Sequence, residues 1–278
     1  ILKAGEDALA KLNLKVSDIA HIGVAVPSSI DPVSGDCHYA PNLGWKKFSM
    51  KETFKTLFGR EVYIGNDGNL GILGEFHCGA AQGFKSAVGY FVGTGLGGGI
   101  IMDGHLLTGH CGLAGELGHV VVKYGGRRCG CGNRGCVEAY CSKVAFVKGI
   151  KKEVFENGAK CALVSDKFDW NSKNIKSRFL AKAYTQSDNV VRKVVDKGFK
   201  MLGTSAASIC SVVAPECIIL GGGVVGAMGD DVLPSFKKGF ERSLFGFEPS
   251  NIELRLSSLG DTAVAVGATI LAQGNGKA

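Results

Sequence analysis

Three thiols and one imidazole fall within a short stretch of this chain. Gly115-Glu116-Leu117-Gly118-His119 is followed by Cys129-Gly130-Cys131-Gly132-Asn133-Arg134-Gly135-Cys136-Val137-Glu138. His119, Cys129, Cys131 and Cys136 form the ligand set of a closed tetrahedral zinc site, the structural kind with no open coordination position. Glycines between the thiols let the backbone fold tightly enough to bring all four ligands onto one ion. A zinc knuckle that only staples a fold has no use for carboxylates, yet Glu116 and Glu138 are interleaved with the ligands. Metal binding and recognition of a polar ligand are therefore expected together, the competing reading being a staple with both glutamates on the surface.

Two other segments carry chemistry. Asn66-Asp67 follows the short apolar run Val62 to Ile64, and open α/β sheets place ligands at the carboxyl ends of strands. Without further context, such a pair serves equally as a turn or a helix N-cap. Gly93-Thr94-Gly95-Leu96-Gly97-Gly98-Gly99 contains a formal G-x-G-x-x-G. A dinucleotide fingerprint must open into a helix, but these glycines run into Ile100-Ile101-Met102 and an Asp103-Gly104 turn. Strand–loop–strand is the better reading, and a dinucleotide site is not expected. Glycine N–H groups can still cradle a phosphate as an anion-binding nest, the plain alternative being a ligand-free hairpin.

The elements that must position these groups alternate. Residues 1–15 read as a helix, Ile22 to Val26 as a strand ending at Pro27, and Ser28 to Gly35 as turn-rich. A loop carrying Pro41 to Trp45 follows, then a helix over Lys51 to Phe58, the strand Val62 to Ile64 and a helix over Leu70 to Cys78. Val88 to Val92 is a strand; Glu138 to Met201 is mostly helical pattern with polar connections around Asp166 to Lys176. A helix over Gly203 to Val213 leads to a strand, Cys217 to Leu220, that ends in Gly221-Gly222-Gly223. Leu233 to Leu244 (helix), Ile252 to Ser257 (strand) and Thr262 to Ala272 (helix) complete the pattern. Such alternation specifies an α/β protein, and 278 residues suggest about two domains.

Composition narrows the partners. The net charge of +7 invites anions, but the basic residues lie along helices such as Lys193 to Lys200 without aromatic interleaving. That is a solvated helix face, so no nucleic-acid partner is expected. Cys217 to Leu220 and Val88 to Val92 are too short to span a bilayer. Ile1 to Leu14 alternates apolar and charged residues like an amphipathic helix, unlike a secretory signal. Of ten cysteines, those outside the cluster are scattered, as in a reduced cytoplasmic protein. The chain begins at Ile1 with no initiator Met, so trimming or a start in mid-gene is expected.

Taken together, these motifs resemble the ROK family of sugar kinases, the bacterial-type glucokinases, fructokinases and N-acetylhexosamine kinases. Pro27 to Gly35, Asn42 to Trp45, Asn66-Asp67, Gly93 to Gly99, Gly115 to His119, Cys129 to Glu138 and Gly221 to Gly223 carry the resemblance, which covers nearly the whole chain. It implies a two-lobed actin-like (ribonuclease-H-like) α/β fold with a zinc-binding loop and sugar and ATP in the cleft. One lobe would comprise residues 1–67 joined by the C-terminal helix 261–278, the other residues 68–260 with the zinc loop 119–136. By the same resemblance Asp67 is the general base, and Asn66, Asp67, Glu116, His119 and Glu138 grip the sugar. Thr94 and Gly95 meet phosphate oxygens, Gly222 and Gly223 let the adenosine approach, and ATP arrives with Mg²⁺. A homo-oligomer, dimer or tetramer, is the implied assembly.

The chain also departs from the family. The family's opening strand and glycine-rich Asp-x-Gly-Gly-Thr-type turn, which also contacts ATP phosphates, have no equivalent near Ile1, so further N-terminal residues are expected upstream. Pro27-Ser28 stands where the family usually has Pro-Gly; the side chain there narrows the sugar pocket or adds a hydroxyl contact. The leading expectation is phosphorylation of a hexose, glucose first. A sugar-responsive ROK transcriptional regulator, or a sugar-binding fragment without kinase activity, is the rival. The sequence leaves open which hexose or N-acetylhexosamine binds and whether polyphosphate replaces ATP.

Overall fold

The computed structural model describes residues 2–31, 34–40, 45–161, 176–246 and 248–277, with backbone alone for 38–40 and 45–48. The expected Pro41 to Gly44 loop and most of the polar connection around Asp166 to Lys176 lie outside the described residues. The first half runs α1 (Leu2–Ala10), β1 (Ile22–Val26), β2 (Ser29–Ile30), β3 (Cys37–Ala40), β4 (Trp45–Phe48), α2 (Met50–Phe58), β5 (Val62–Asn66) and α3 (Asp67–Cys78). The second half runs β6 (Ala87–Val92), β7 (Leu96–Met102), β8 (His105–Leu106), α4 (Lys143–Lys151), α5 (Ser177–Thr185), α6 (Asn189–Val213), β9 (Cys217–Gly221), α7 (Gly222–Met228), α8 (Leu233–Ser243), β10 (Glu253–Leu256) and α9 (Ala263–Gln273).

A five-stranded sheet of order β10-β9-β6-β7-β8 forms the centre. Its β10, β9 and β6 are parallel, whereas β7 and β8 are antiparallel additions. The glycine run is thus a hairpin, β6–β7, as its failure to open into a helix required. Side chains alternate between the sheet's faces. Ala87, Ile101, Cys217 and Ile219 meet Leu70, Ile72 and Leu73 of α3 and Leu271 of α9. Val88, Tyr90, Val92, Ile218 and Leu220 join Phe146, Leu180, Phe199, Val224 and Phe236 of α4 to α8. Burial on both faces explains why the strands read as unbroken apolar runs.

A smaller body precedes this. β1 and β5 form a parallel pair with Val26 opposite Asn66, and β2-β3-β4 form an antiparallel sheet. That second sheet was not legible in the turn-rich reading of Ser28 to Gly35, since β2 is two residues long and carries no period. Val26, Ile30, Cys37, Met50, Phe54 and Val62 make a third apolar cluster there. The C-terminal α9 packs on β1, β5 and α3, so it joins the first body and the central sheet. Its contact with α3 is backbone-close: a Cβ at Gly267 would stand 1.8 Å from Leu70 O.

A buried carboxylate fastens the far end of α3. Glu75 is fully buried and accepts from Ser257 Oγ at 2.5 Å, Ala80 N at 2.8 Å, Leu259 N at 3.0 Å and Ser258 N at 3.2 Å. It ties α3 to the connection between β10 and α9. Glu75→Gln would turn an NH₂ group toward these donors, and unsatisfied buried donors cost stability. A loss of about 3 kcal/mol is expected in urea unfolding; an unchanged midpoint and slope would show that the contacts are dispensable.

Candidate active site

Asp67 owes its place to a junction without a loop. β5 passes directly into α3, with Asn66 as N-cap: its Oδ1 accepts from Asn69 N at 3.0 Å. The N-cap alternative is therefore realised at Asn66. Its Nδ2 donates to Ser28 O at 3.1 Å, so the amide retains one N–H and spare acceptor capacity for a ligand. Asp67 opens the helix, and Oδ1 accepts from Gly68 N at 2.8 Å. The helix start presses on the central sheet: a Cβ at Gly68 would fall 2.5 Å from Gly98 O. Only glycine permits that approach, and it sets Asp67 beside the β6–β7 hairpin.

The cysteine loop folds back on itself. Cys129 N donates to Asn133 O at 2.8 Å and Val137 N to Val120 O at 2.9 Å, and Val121 bridges Cys136. His119 sits at the end of one helical turn, Leu117–His119, and Glu138 in another, Val137–Ala139. One ligand atom from each of His119, Cys129, Cys131 and Cys136 lies within 4.8 Å of all the others. Cys131 Sγ and Cys136 Sγ are 3.8 Å apart, and Cys129 Sγ is 3.7 Å from His119 Nδ1. A zinc tetrahedron has edges of about 3.8 Å between sulfurs and about 3.6 Å between sulfur and nitrogen. The donor set and its spacing fit that ion. Burial raises the Cys129 and Cys136 thiols, so a cation is what would bring them to thiolates.

With Nδ1 turned to the thiols, His119 Nε2 faces outward, 4.0 Å from Glu116 Oε2. Desolvation raises the Glu116 carboxyl; His119 opposes this, while Asp67 and Glu138 push it further up. The three carboxylates are therefore electrostatic neighbours, although they come from α3 and two separate turns. Asp67 is also raised above the ordinary carboxylate range, mainly by burial, against the lowering bond from Gly68 N–H. Glu138 Oε2 accepts from Leu96 N at 2.9 Å, and its Oε1 lies 3.4 Å from Cys129 Sγ.

The residues expected on the nucleotide side converge separately. Thr94 and Gly95 lie in the turn between β6 and β7, at the carboxyl end of β6. Gly221 pairs with Phe91 on the neighbouring parallel strand, so Gly222 and Gly223 emerge at the same edge. Gly222 has φ +85°, and a Cβ there would meet Val92 backbone atoms at 2.7 Å. Gly223 lies beside α5, its nearest contact being Ser177 Oγ at 3.7 Å.

One residue beside the site went unread in the sequence. Asn69 is buried, and its Oδ1 has no partner among the described residues; it lies against Gly115, next to Glu116. Its spacing from Asn66 on a helix start was the available signal. Ser28, at the departure from Pro-Gly, buries its hydroxyl, which donates to Ser29 O at 3.0 Å and lies 2.8 Å from Cys37 Sγ. A cavity of about 970 Å³ borders Asn66 and Asn69 along β5, but Asp67, Glu116, His119 and Glu138 do not line it. It is a different recess from the carboxylate cluster.

Comparison with known proteins agrees with this geometry. The ROK family model matches residues 1–275. A glucokinase from Halalkalibacterium halodurans is 34% identical over 253 residues, 90% of this chain and 75% of that protein. A xylose repressor from Caldicellulosiruptor bescii is 30% identical over 264 residues, 94% of this chain and 64% of that protein. A ROK family glucokinase from Streptomyces griseus, solved with glucose and AMPPNP, is 30% identical with a TM-score of 0.85 over 99% of this chain and 88% of that one. The α/β architecture is that of the actin-like sugar kinases, and the chain belongs to the ROK family.

Proposed function

We propose that this chain is a sugar kinase that transfers the γ-phosphoryl of ATP to a hexose hydroxyl, with glucose as the first candidate. The carrying observation is the meeting of Asp67 with Glu116 and Glu138 beside a glycine hairpin. The proposed lobes are residues 1–67 with helix 261–278, and residues 68–260. In that division α9 packs on β1 and β5 of the first lobe and on α3 of the second, and sugar and nucleotide would meet between the two.

Asp67 acts as general base. Its raised pKa brings its basicity nearer the working pH, and one oxygen bonded to Gly68 N–H leaves the other for the sugar hydroxyl. As that hydroxyl oxygen bonds to the γ-phosphorus, the bond to the β–γ bridging oxygen breaks. The proton passes to Asp67 and ADP leaves. Such a transition state asks mainly for positioning and charge stabilisation. Glu116, His119 Nε2, Glu138 Oε1 and Asn66 hold the remaining hydroxyls, and bonds to carboxylates are the stronger kind. Thr94 and Gly95 face the phosphates, on which Mg²⁺ would offset negative charge when bound. Zinc on His119, Cys129, Cys131 and Cys136 supplies rigidity and fixes the His119 ring.

Identity to a xylose repressor supports a second reading, a sugar-responsive regulator. Turnover separates the two, because a sensor has no need of a base. Asp67→Asn is expected to cut kcat by roughly 10²–10⁴-fold while glucose still binds in calorimetry; equal turnover in the variant would remove Asp67 from the mechanism.

The base works deprotonated, so kcat falls as pH falls through the Asp67 pKa. Because burial raises it, the acid limb of the kcat profile should lie above the ordinary aspartate value of 3.8. A limb at or below that value would contradict the assignment.

Metal content gives a separate check. Atomic absorption should find one zinc per chain, and Cys131→Ser should lose it together with several degrees of Tm. Full zinc retention by that variant would remove Cys131 from the ligand set.

A further inference from the structure

Two arms reach from the cysteine loop to the glycine hairpin, and they meet on one residue. The first is the turn that carries His119: a Cβ at Gly118 would lie 2.1 Å from Leu96 O, so its backbone is pressed on that carbonyl. The second is the turn after Cys136, where Glu138 Oε2 accepts from Leu96 N at 2.9 Å. A Cβ at the adjacent Gly95 would fall 2.5 Å from the same oxygen. Beyond that arm, Lys143 N donates to Gly93 O at 2.9 Å and Val144 N to Thr94 O at 3.3 Å. Gly93 O, Thr94 O, Leu96 N and Leu96 O are thus all met from the cysteine loop or the start of α4.

The turn supplies little order of its own. Its internal bond is Gly93 N to Gly95 O at 3.0 Å, and glycines give it wide conformational freedom. Its shape must come from outside. The two arms end on opposite sides of the metal ligand set, one beside His119 and one two residues past Cys136, so drawing the four ligands onto one ion fixes the arms relative to each other.

We propose that Glu138 is a positioning residue for the phosphate-side turn, and that closure of the metal site sets the conformation of Gly93 to Leu96. One carboxylate thereby couples the ligand set to the phosphate-side turn: Oε1 lies 3.4 Å from Cys129 Sγ and Oε2 is committed to Leu96 N–H. The consequence for nucleotide binding rests on the kinase reading above; the mechanical coupling does not.

Hydrogen–deuterium exchange on the full zinc-loaded chain tests it, following the Leu96 amide and, as an internal control, the β9 strand. In Glu138→Gln, a neutral acceptor replaces a charge-assisted one, and Leu96 exchange should accelerate roughly tenfold with β9 unchanged. Chelated wild type should show the same local loss. Should chelation unprotect β9 as well, the zinc-loaded Glu138→Gln protein decides. Unchanged Leu96 exchange in that variant overturns the proposal and leaves Glu138 as a sugar ligand alone. Titration with Mg²⁺–AMPPNP in the absence of sugar is the second readout, expected to weaken about fivefold in Glu138→Gln. Faster Leu96 exchange in a chain whose wild type binds no AMPPNP upholds the coupling and overturns the phosphate reading.

Discussion

The site depends first on the direct passage of β5 into α3. With no intervening loop, Asn66 ends a strand and caps a helix, and Asp67 has no freedom to wander. The helix that follows is held along its length: Gly68 against Gly98 of the central sheet, Leu70 against Gly267 of α9, and Glu75 in a cage of donors. A carboxylate at the first position of such a helix is preorganised by packing. Its raised pKa comes from that packing too, because burial is the largest influence on it. Position and basicity therefore share one cause.

The opposite wall is built by different means. Between Leu107 and Tyr124 the chain seats Leu117 in the main core, but Leu113 and Val121 are each 52% exposed and Tyr124 fully exposed. Hydrophobic burial orders only part of such a loop. Four ligands on one ion would order the rest, since metal binding free energy acts directly as folding free energy. Asp67 thus stands on a hydrophobic scaffold, and Glu116, His119 and Glu138 stand on a coordination scaffold. The glycine hairpin lies between them, touching α3 through Gly98 and the cysteine loop through Leu96.

What the sequence made legible follows the strength of local signals. The buried strands β6 and β9, the failure of Gly93 to Gly99 to open a helix, and the clustering of His119 with Cys129, Cys131 and Cys136 were all readable because few other structures tolerate those patterns. The β2-β3-β4 sheet was hidden, as strands of two and four residues show too little period to detect. The helix expected over residues 1–15 ends at Ala10. The strand-to-helix turn at Gly222 was read as a strand end because the helix begins with two glycines. Contacts of backbone groups were wholly invisible. That Leu96 N–H and C=O are met by two distant turns leaves no trace in residue type, except in the glycines at 95 and 118 that make room for it.

The electrostatics give the two halves of the site different tasks. Asp67 and Glu138 both raise the cost of ionising Glu116, so this side of the site repels anions and welcomes neutral groups rich in hydroxyl donors. On the proposed reading the phosphates lie away from this surface and would be met by backbone N–H groups at Thr94 and Gly95, which carry positive partial charge without a competing side chain. On the proposed reading, a hydroxyl that gains a phosphoryl group becomes an anion beside three carboxylates. The same repulsion that keeps phosphate off the sugar side before transfer then favours release of the product after it.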